Sequence, residues 1–298
     1  MTAPTAVGID VGATKAEAVR VDAAGAVQAR ALADTPATDV PGVLEAMRHV
    51  AAEVLDPSCV AIGVGAAGLV ERGTGTMRFA PNIAWRDVNL AKELAGFGLP
   101  ASIDNDCNTA TVGELLAGAG RGVNDFLYVG IGTGIGGGFV LGGAVQRGAH
   151  GYAGEIGHII VQPGGLLCGC GNHGCWETVA SGTTITRLGQ ERLGVDGHGV
   201  VAAAAAGEEA ARAILDEVGI RLGQGIAGLV NVLDPSLVIV GGGPPAAAGD
   251  LLLEPARRAC REAIEAADAR PEVPIVQAAL GADSAAVGAA LWAMQEAA

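Results

Sequence analysis

Apolar and polar positions alternate along the chain in two rhythms. Short apolar runs ending in turn residues predict strands at Ala6–Gly12, Ala16–Asp22 and Ala26–Leu32, the last two joined by the turn Ala23-Ala24-Gly25. Leu44, Met47, Ala51 and Val54 then recur at helical spacing, which predicts a helix over 42–55. Cys59–Gly68 reads as a buried strand ending in Gly65 and Gly68. A short helix is expected over 88–97 with Asp87 as its N-cap, and the strand Ala101–Asp106 runs into a helix over Asn108–Ala119. Strands alternating with helices define an α/β fold.

The second half repeats the opening. Val129-Gly130-Ile131-Gly132-Thr133-Gly134 lines up with Val7-Gly8-Ile9-Asp10-Val11-Gly12, each a strand, a glycine turn and another strand. A long helix follows near 208–234, with Ile214, Val218, Leu222, Ile226, Leu229 and Leu233 on one stripe. Then come the strand Ser236–Gly243, a helix near 250–266, the strand Pro274–Leu280 and a C-terminal helix. Two related α/β halves predict a bilobal, duplicated fold with a cleft between the lobes. The expected division is a smaller lobe over 1–106, completed by a helix over 284–298, and a larger lobe over 107–283. No Pro- or Ser-rich linker separates them, and 119–124 reads only as a loop.

Composition narrows the function. Aromatics are 3% of the chain, so the core must rely on Val, Leu, Ile and Ala, and many of the 48 glycines fall in clusters that suit tight turns or backbone close to a ligand. A formal net charge of -14 argues against wrapping a nucleic-acid backbone, although backbone N–H groups and a cation can still hold a phosphate. No apolar run reaches the ~18 residues of a membrane span, and the start MTAPTAVGID lacks the pattern of a signal peptide. Cys59, Cys107 and Cys260 read as ordinary buried thiols, and a reducing cytoplasm is the expected compartment.

Three constellations carry chemistry. The turns Asp10–Lys15 (DVGATK) and Gly132–Gly138 (GTGIGGG) end predicted strands, where glycine lets backbone N–H groups close on phosphate oxygens. Thr14 or Thr133 would add a hydroxyl, and Asp10 would hold Mg²⁺ through water. Either turn alone is more often a plain hairpin; the repeated pair favours phosphate binding. Gly132, Gly134 and Gly137 match the dinucleotide fingerprint, but a β-like segment follows them instead of a helix. A Walker sequence is also absent. The second constellation is Asp104, Asn105, Asp106 and Asn108 at a strand–helix junction. Helix capping needs one such residue, and a carboxylate there can accept the proton of an attacking hydroxyl late in phosphoryl transfer.

The third is Cys168-Gly-Cys170 with Cys175, interleaved with Gly169, Gly171 and Gly174. Thiolate-rich tetrahedral sets favour Zn²⁺. The fourth ligand is either His173, inside the loop with little slack, or His158, which can fold back from a neighbouring strand; slack favours His158. A full Cys₃His set leaves no open position, which points to a structural rather than a catalytic zinc. Glu155 and Glu177 flank the loop and read either as surface glutamates or as acceptors for sugar hydroxyls.

Taken in order, GIDVGATK, DNDCNTATVGE, GIGTGIGGG, GEIGH, CGCGNHGCWE, LDPSLVIVGGG and GADSAAVGAA resemble the ROK (repressor, open reading frame, kinase) family of sugar kinases, from about residue 6 to the last helix. Gly65–Leu90 (GAAGLVERGTGTMRFAPNIAWRDVNL) is similar to the actinobacterial glucokinase branch. The resemblance implies an actin-like, hexokinase-like fold, ATP with Mg²⁺, a structural Zn²⁺, and transfer to the 6-hydroxyl of a hexose, glucose first. It implies Asp106 as the base. Gly68, Asn82, Asn105, Glu155, His158 and Glu177 would contact sugar, and His158 would share the zinc with Cys168, Cys170 and Cys175. Asp10, Gly12, Thr14 and Lys15 would form the first phosphate segment, Thr133 and Gly134 the second, and Gly242 and Gly243 would lie near the adenosine. A homodimer or homotetramer is the family expectation. Kinases for N-acetylglucosamine, N-acetylmannosamine or fructose, a polyphosphate donor, and a non-catalytic sugar sensor are the alternatives; a zinc-containing dinucleotide oxidoreductase is disfavoured by the strand after Gly138. With the first phosphate motif at residue 10, no N-terminal helix-turn-helix is expected. Ala13 replaces a usual Gly, at a cost of about 1 kcal/mol if the position needs positive φ; Asp104 and Cys107 replace a usual Glu and Ala.

Overall fold

A computed structural model describes residues 3–71, 73–80 and 82–298. Its strands are β1 Thr5–Val11, β2 Lys15–Asp22, β3 Val27–Asp34, β4 Cys59–Ala66, β5 Leu69–Glu71, β6 Thr76–Phe79, β7 Val88–Asn89, β8 Ala101–Asn105, β9 Phe126–Ile131, β10 Ile135–Leu141, β11 Ala144–Val145, β12 Leu237–Gly241 and β13 Ile275–Gln277. Its α-helices are α1 Val40–Val54, α2 Leu90–Leu94, α3 Asp106–Leu116, α4 Glu177–Ala180, α5 Gly182–Leu193, α6 Gly197–Ala205, α7 Glu209–Leu233, α8 Gly243–Ala248, α9 Asp250–Ala263 and α10 Ser284–Glu296. None of the described helices is long and apolar enough to cross a membrane.

The chain forms two compact units. The first comprises 1–124, 138–154 and 283–298; the second comprises 125–137 and 155–282. The sequence-based division put 107–124 and 138–154 with the other lobe. They group with the first unit because α3 packs along α10, where a Cβ on Gly288 would strike the Thr109 carbonyl at 1.8 Å.

One five-stranded sheet has the order β3-β2-β1-β4-β8, and the other β11-β10-β9-β12-β13. The two orders correspond strand for strand, which is the duplication expected from the repeated glycine turns. In the first sheet β2 is antiparallel to β1, whereas β4 and β8 run parallel, so β1, β4 and β8 all end on one edge. In the second, β12 pairs parallel with β9 and β13.

Side-chain size explains how α10 seats on the first sheet. Its sequence SAAVGAALWAMQE is mostly small residues. A Cβ on Gly8 would meet the Ala286 carbonyl oxygen at 1.8 Å, and one on Gly63 the Ala289 oxygen at 1.9 Å. On the other face α1 buries Val43, Leu44, Met47, Val50, Ala51 and Val54, each large apolar side chain contributing about 1.5–3 kcal/mol.

Three local expectations change. Asp87 does not cap a helix: it sits at φ 56° and pairs with Arg78 at 2.7 Å, while Asn89 caps α2 by accepting from the Lys92 N–H. Much of the segment before α2 forms a small β5-β6-β7 sheet. Helices α5 and α6 fill 182–205, a stretch with no sequence-based assignment. Cys59 and Cys260 are buried as expected, and Cys107 is half-buried.

Candidate active site

In the first unit, strand register brings the acidic groups together. Asp10 of β1 is opposite Gly65 of β4, which is opposite Asp104 of β8. The first glycine turn is closed by Gly12 N–H donating to the Lys15 carbonyl at 2.9 Å, and Thr35 Oγ1 donates to the Gly12 carbonyl at 2.8 Å. Ala13 lies outside the positive-φ region, so its replacement of glycine carries no backbone strain. Thr14 is exposed, and Lys15 Nζ pairs with the buried Glu17 at 3.0 Å.

Asn105 is the N-cap of α3. Its Oδ1 accepts from the N–H groups of Cys107 at 2.8 Å and Asn108 at 3.2 Å, and its Nδ2 donates to the Gly68 carbonyl at 3.1 Å. Gly68 itself has φ 123°. Asn82 is exposed on a bend. Asp106 is the first residue of α3, and its Oδ1 accepts from the Cys107 N–H at 2.9 Å. Burial pushes the Asp106 carboxyl up, partly offset by that hydrogen bond. Burial and the neighbouring Asp106 push Asp10 up to about 7, with Lys15 acting the other way. Asp10 and Asp106 therefore share one poorly solvated space, and each resists the other's charge.

In the second unit, the turn Gly132–Gly134 docks against the start of α5. Gly182 N–H donates to the Gly132 carbonyl at 2.9 Å, and Thr183 Oγ1 donates to the Thr133 carbonyl at 2.6 Å. A Cβ on Gly182 would meet the Gly132 oxygen at 2.6 Å, so only glycine allows this approach. Beside the turn lies a cavity of about 330 Å³, lined by Thr133, Thr183, Thr186, His198, Gly243 and Pro244 among others. Gly243 thus faces the cavity. Gly242 instead adopts φ 101° against the Ile131 carbonyl, bending the chain from β12 into α8. Thr183, Thr186 and His198 were not foreseen. The legible signals were the caps: Ser181 accepts from Thr184 N–H, and Asp196 from Gly199 N–H.

The cysteine loop is also in the second unit. Ligand atoms of His158, Cys168, Cys170 and Cys175 all lie within 4.8 Å of one another. The Cys170 and Cys175 sulfurs are 3.6 Å apart, and Cys168 Sγ is 3.6 Å from His158 Nδ1. Tetrahedral zinc with bonds of about 2.3 Å to sulfur and about 2.0 Å to nitrogen has edges of about 3.5–3.8 Å, which these two distances match, and the chemistry of three thiols with one imidazole suits that metal. His173 is turned away, its Nδ1 3.0 Å from the Gly165 carbonyl. Glu177 Oε1 lies 2.9 Å from Cys168 Sγ and 3.7 Å from His158 Nδ1, and its Oε2 accepts from Ile135 N–H at 3.4 Å. Glu155 Oε2 lies 3.8 Å from His158 Nε2. The loop therefore orders a line of polar groups running from Glu155 through His158 to Glu177.

The ROK family matches residues 6–296. The chain belongs to the ROK family. A glucokinase of Streptomyces coelicolor is 36% identical over 95% of this chain and 96% of that protein. The solved structure of a ROK family glucokinase from Streptomyces griseus, in complex with glucose and AMPPNP, is 37% identical over 98% of this chain and 99% of that one, with a TM-score of 0.92. A xylose repressor of Caldicellulosiruptor bescii is 34% identical over 66% of this chain and 53% of its own length. The fold is thus the actin-like, duplicated α/β fold of ROK kinases, as the motifs implied.

Proposed function

We propose that this ROK protein is an ATP-dependent glucokinase that transfers the γ-phosphoryl group of ATP to the 6-hydroxyl of glucose. The observation that carries the reading is Asp106, a carboxylate at the start of α3 with its pKa raised beside the first glycine turn. A raised pKa improves a base that must accept a proton near neutral pH. Glucose as acceptor and ATP as donor rest on likeness over nearly the full length to a chain solved with glucose and AMPPNP.

The residues divide the work by chemistry. Asp106 accepts the proton of the attacking hydroxyl, while Asn105 holds the helix start that carries it. Gly68, Asn82, Glu155, His158 and Glu177 orient the sugar hydroxyls. The first-turn residues Asp10, Gly12, Thr14 and Lys15, with Thr133 and Gly134, serve the phosphates, although the Lys15–Glu17 pair mutes the lysine's charge. The cavity beside α5 and α8, with Gly242 shaping the bend that leads into it, takes the nucleoside. Mg²⁺, when bound with ATP, would neutralise phosphate charge, and Asp10 suits it because two crowded carboxylates gain from a nearby cation. His158, Cys168, Cys170 and Cys175 would hold zinc, which stiffens the loop bearing His158 and Glu177.

The test is ADP release coupled to sugar phosphorylation, run across glucose, fructose, N-acetylglucosamine and N-acetylmannosamine, with ATP and then polyphosphate as donor. Glucose with ATP should give the highest kcat/KM. A preference for another hexose would move the assignment within the family. No sugar-dependent turnover, with sugar still bound, would make the protein a sensor.

A further inference from the structure

Asp104, which is buried, and Arg147, which is half-buried, form an ion pair outside the proposed set of reacting groups. Asp104 is 5% exposed and is the second-to-last residue of β8, two residues before Asp106. Its Oδ1 accepts from the Asn105 N–H at 2.8 Å and from Asn108 Nδ2 at 2.9 Å. Its Oδ2 accepts from Arg147 Nε. The Arg147 guanidinium lies 4.8 Å over the Trp292 ring of α10, and the Arg147 carbonyl accepts from Ala153 N–H at 3.1 Å. One carboxylate therefore ties the entry to α3 to the loop 147–153, and through the arginine to α10.

We infer that Asp104 and Arg147 are positioning residues for the Asp106 carboxylate, an inference that rests on Asp106 being the base. The Asp106 carboxylate accepts from Cys107 N–H and is otherwise hydrogen-bonded by Asn105, Cys107 and its own backbone, all at the helix start itself, so these bonds do not fix where that helix starts. The start is fixed by its two predecessors: Asn105 binds Gly68, and Asp104 binds Arg147. A bare structural staple would ordinarily satisfy its polar atoms, yet Arg147 Nη2 and Asn108 Oδ1 are buried without a hydrogen-bond partner. Ion pairs taken largely out of water are often replaceable by apolar residues without loss of stability; what the pair adds here is direction, since Nε can bond only along the guanidinium plane. Asp104 and Arg147 also line a cavity of about 340 Å³ with Thr74, Ser102 and Trp292, so a changed side chain at 147 has room to rearrange.

The experiment measures kcat together with separate Kd values for glucose and for ATP, on Arg147→Met, Arg147→Lys and Asp106→Asn. Arg147→Met should lower kcat by about 10- to 100-fold with both Kd values within about threefold, the pattern of lost transition-state geometry. Arg147→Lys, which keeps the charge near Asp104, should recover part of that loss. A folded Arg147→Met with kcat within threefold of the parent overturns the inference, as does a parallel loss of kcat and both affinities. Should that variant not fold, the isosteric Asp104→Asn is read instead, with at least a fivefold drop in kcat expected and unchanged kcat overturning the idea. Asp106→Asn separates the two claims: if it stays active, the base assignment fails; if it is inactive while Arg147→Met is normal, only the positioning role fails.

Discussion

The two glycine turns occupy corresponding places in the two sheets, yet their surroundings differ. The turn after β1 is closed on itself and braced by Thr35, with Asp10 and Asp106 as its charged neighbours. The turn after β9 gives its carbonyls to the N-terminal residues of α5 and borders a cavity of about 330 Å³, the proposed nucleoside site. Duplication preserved the strand order; the elements next to each turn diverged. If, as proposed, one turn serves proton and cation chemistry and the other the nucleotide, damage to each should appear in a different kinetic constant.

The largest effect is expected at the first turn's neighbour. Asp106→Asn should cut kcat by about 10²–10⁴ while glucose affinity, by calorimetry, stays within about threefold. The paired change in the second unit is Gly182→Val. Its Cβ would strike the Gly132 carbonyl at 2.6 Å and Pro244 Cγ at 3.0 Å, pushing the turn off α5 and filling the cavity. KM for ATP should rise by roughly tenfold or more, corresponding to about 1.4 kcal/mol or more of binding energy, with glucose affinity retained. If both variants changed the same constant, the division of labour between the turns would be wrong.

A smaller effect is expected from the metal. Removing zinc with a chelator, checked by elemental analysis, should raise the KM for glucose several-fold before it lowers kcat, because His158 and Glu177 lose their rigid support. His173→Ala should retain the metal and His158→Ala should lose it; the reverse would contradict the ligand set built around Nδ1 of His158.

These contrasts also account for what the sequence made legible. The strands could be read because apolar runs ended in paired glycine turns, and the duplication followed from lining up residues 7–12 with 129–134. The clustering of His158 with Cys168, Cys170 and Cys175 could be read because three cysteines with interleaved glycines have few other uses. Helices α5 and α6 could not. Glycines at 182, 189, 194, 197 and 199 interrupt the stretch, and α6 buries only Val200 and Ala204, so no apolar stripe announces them and only their caps do. Arg147 was equally silent: its partner lies 43 residues away in sequence, and nothing local distinguishes it from a surface arginine.

The smallest effect concerns stability, at Asp10. Its pKa rises from 3.8 to about 7, so between those values the folded chain binds a proton that the unfolded chain has released. Stability must then fall as pH rises through that window and remain lower above it. The shift corresponds to a ceiling of about 4 kcal/mol, and partial exposure of the residue reduces it. Asp10→Asn cannot ionise, so its stability should lose this part of the pH dependence and fall less steeply than the parent's across the window. At pH 8 the ligand-free variant should melt a few degrees above the parent, and below pH 4 the gap should close. Adding Mg²⁺ with ATP should reverse the order at pH 8, because a cation held near Asp10 offsets the charge cost in the parent and has no carboxylate to meet in the variant. Thermal melts at the two pH values, with and without Mg²⁺ and ATP, decide it: a variant less stable than the parent at pH 8 without ligand would mean that Asp10 is not the strained carboxylate of the first turn, and equal gains with ligand would remove it from the cation site.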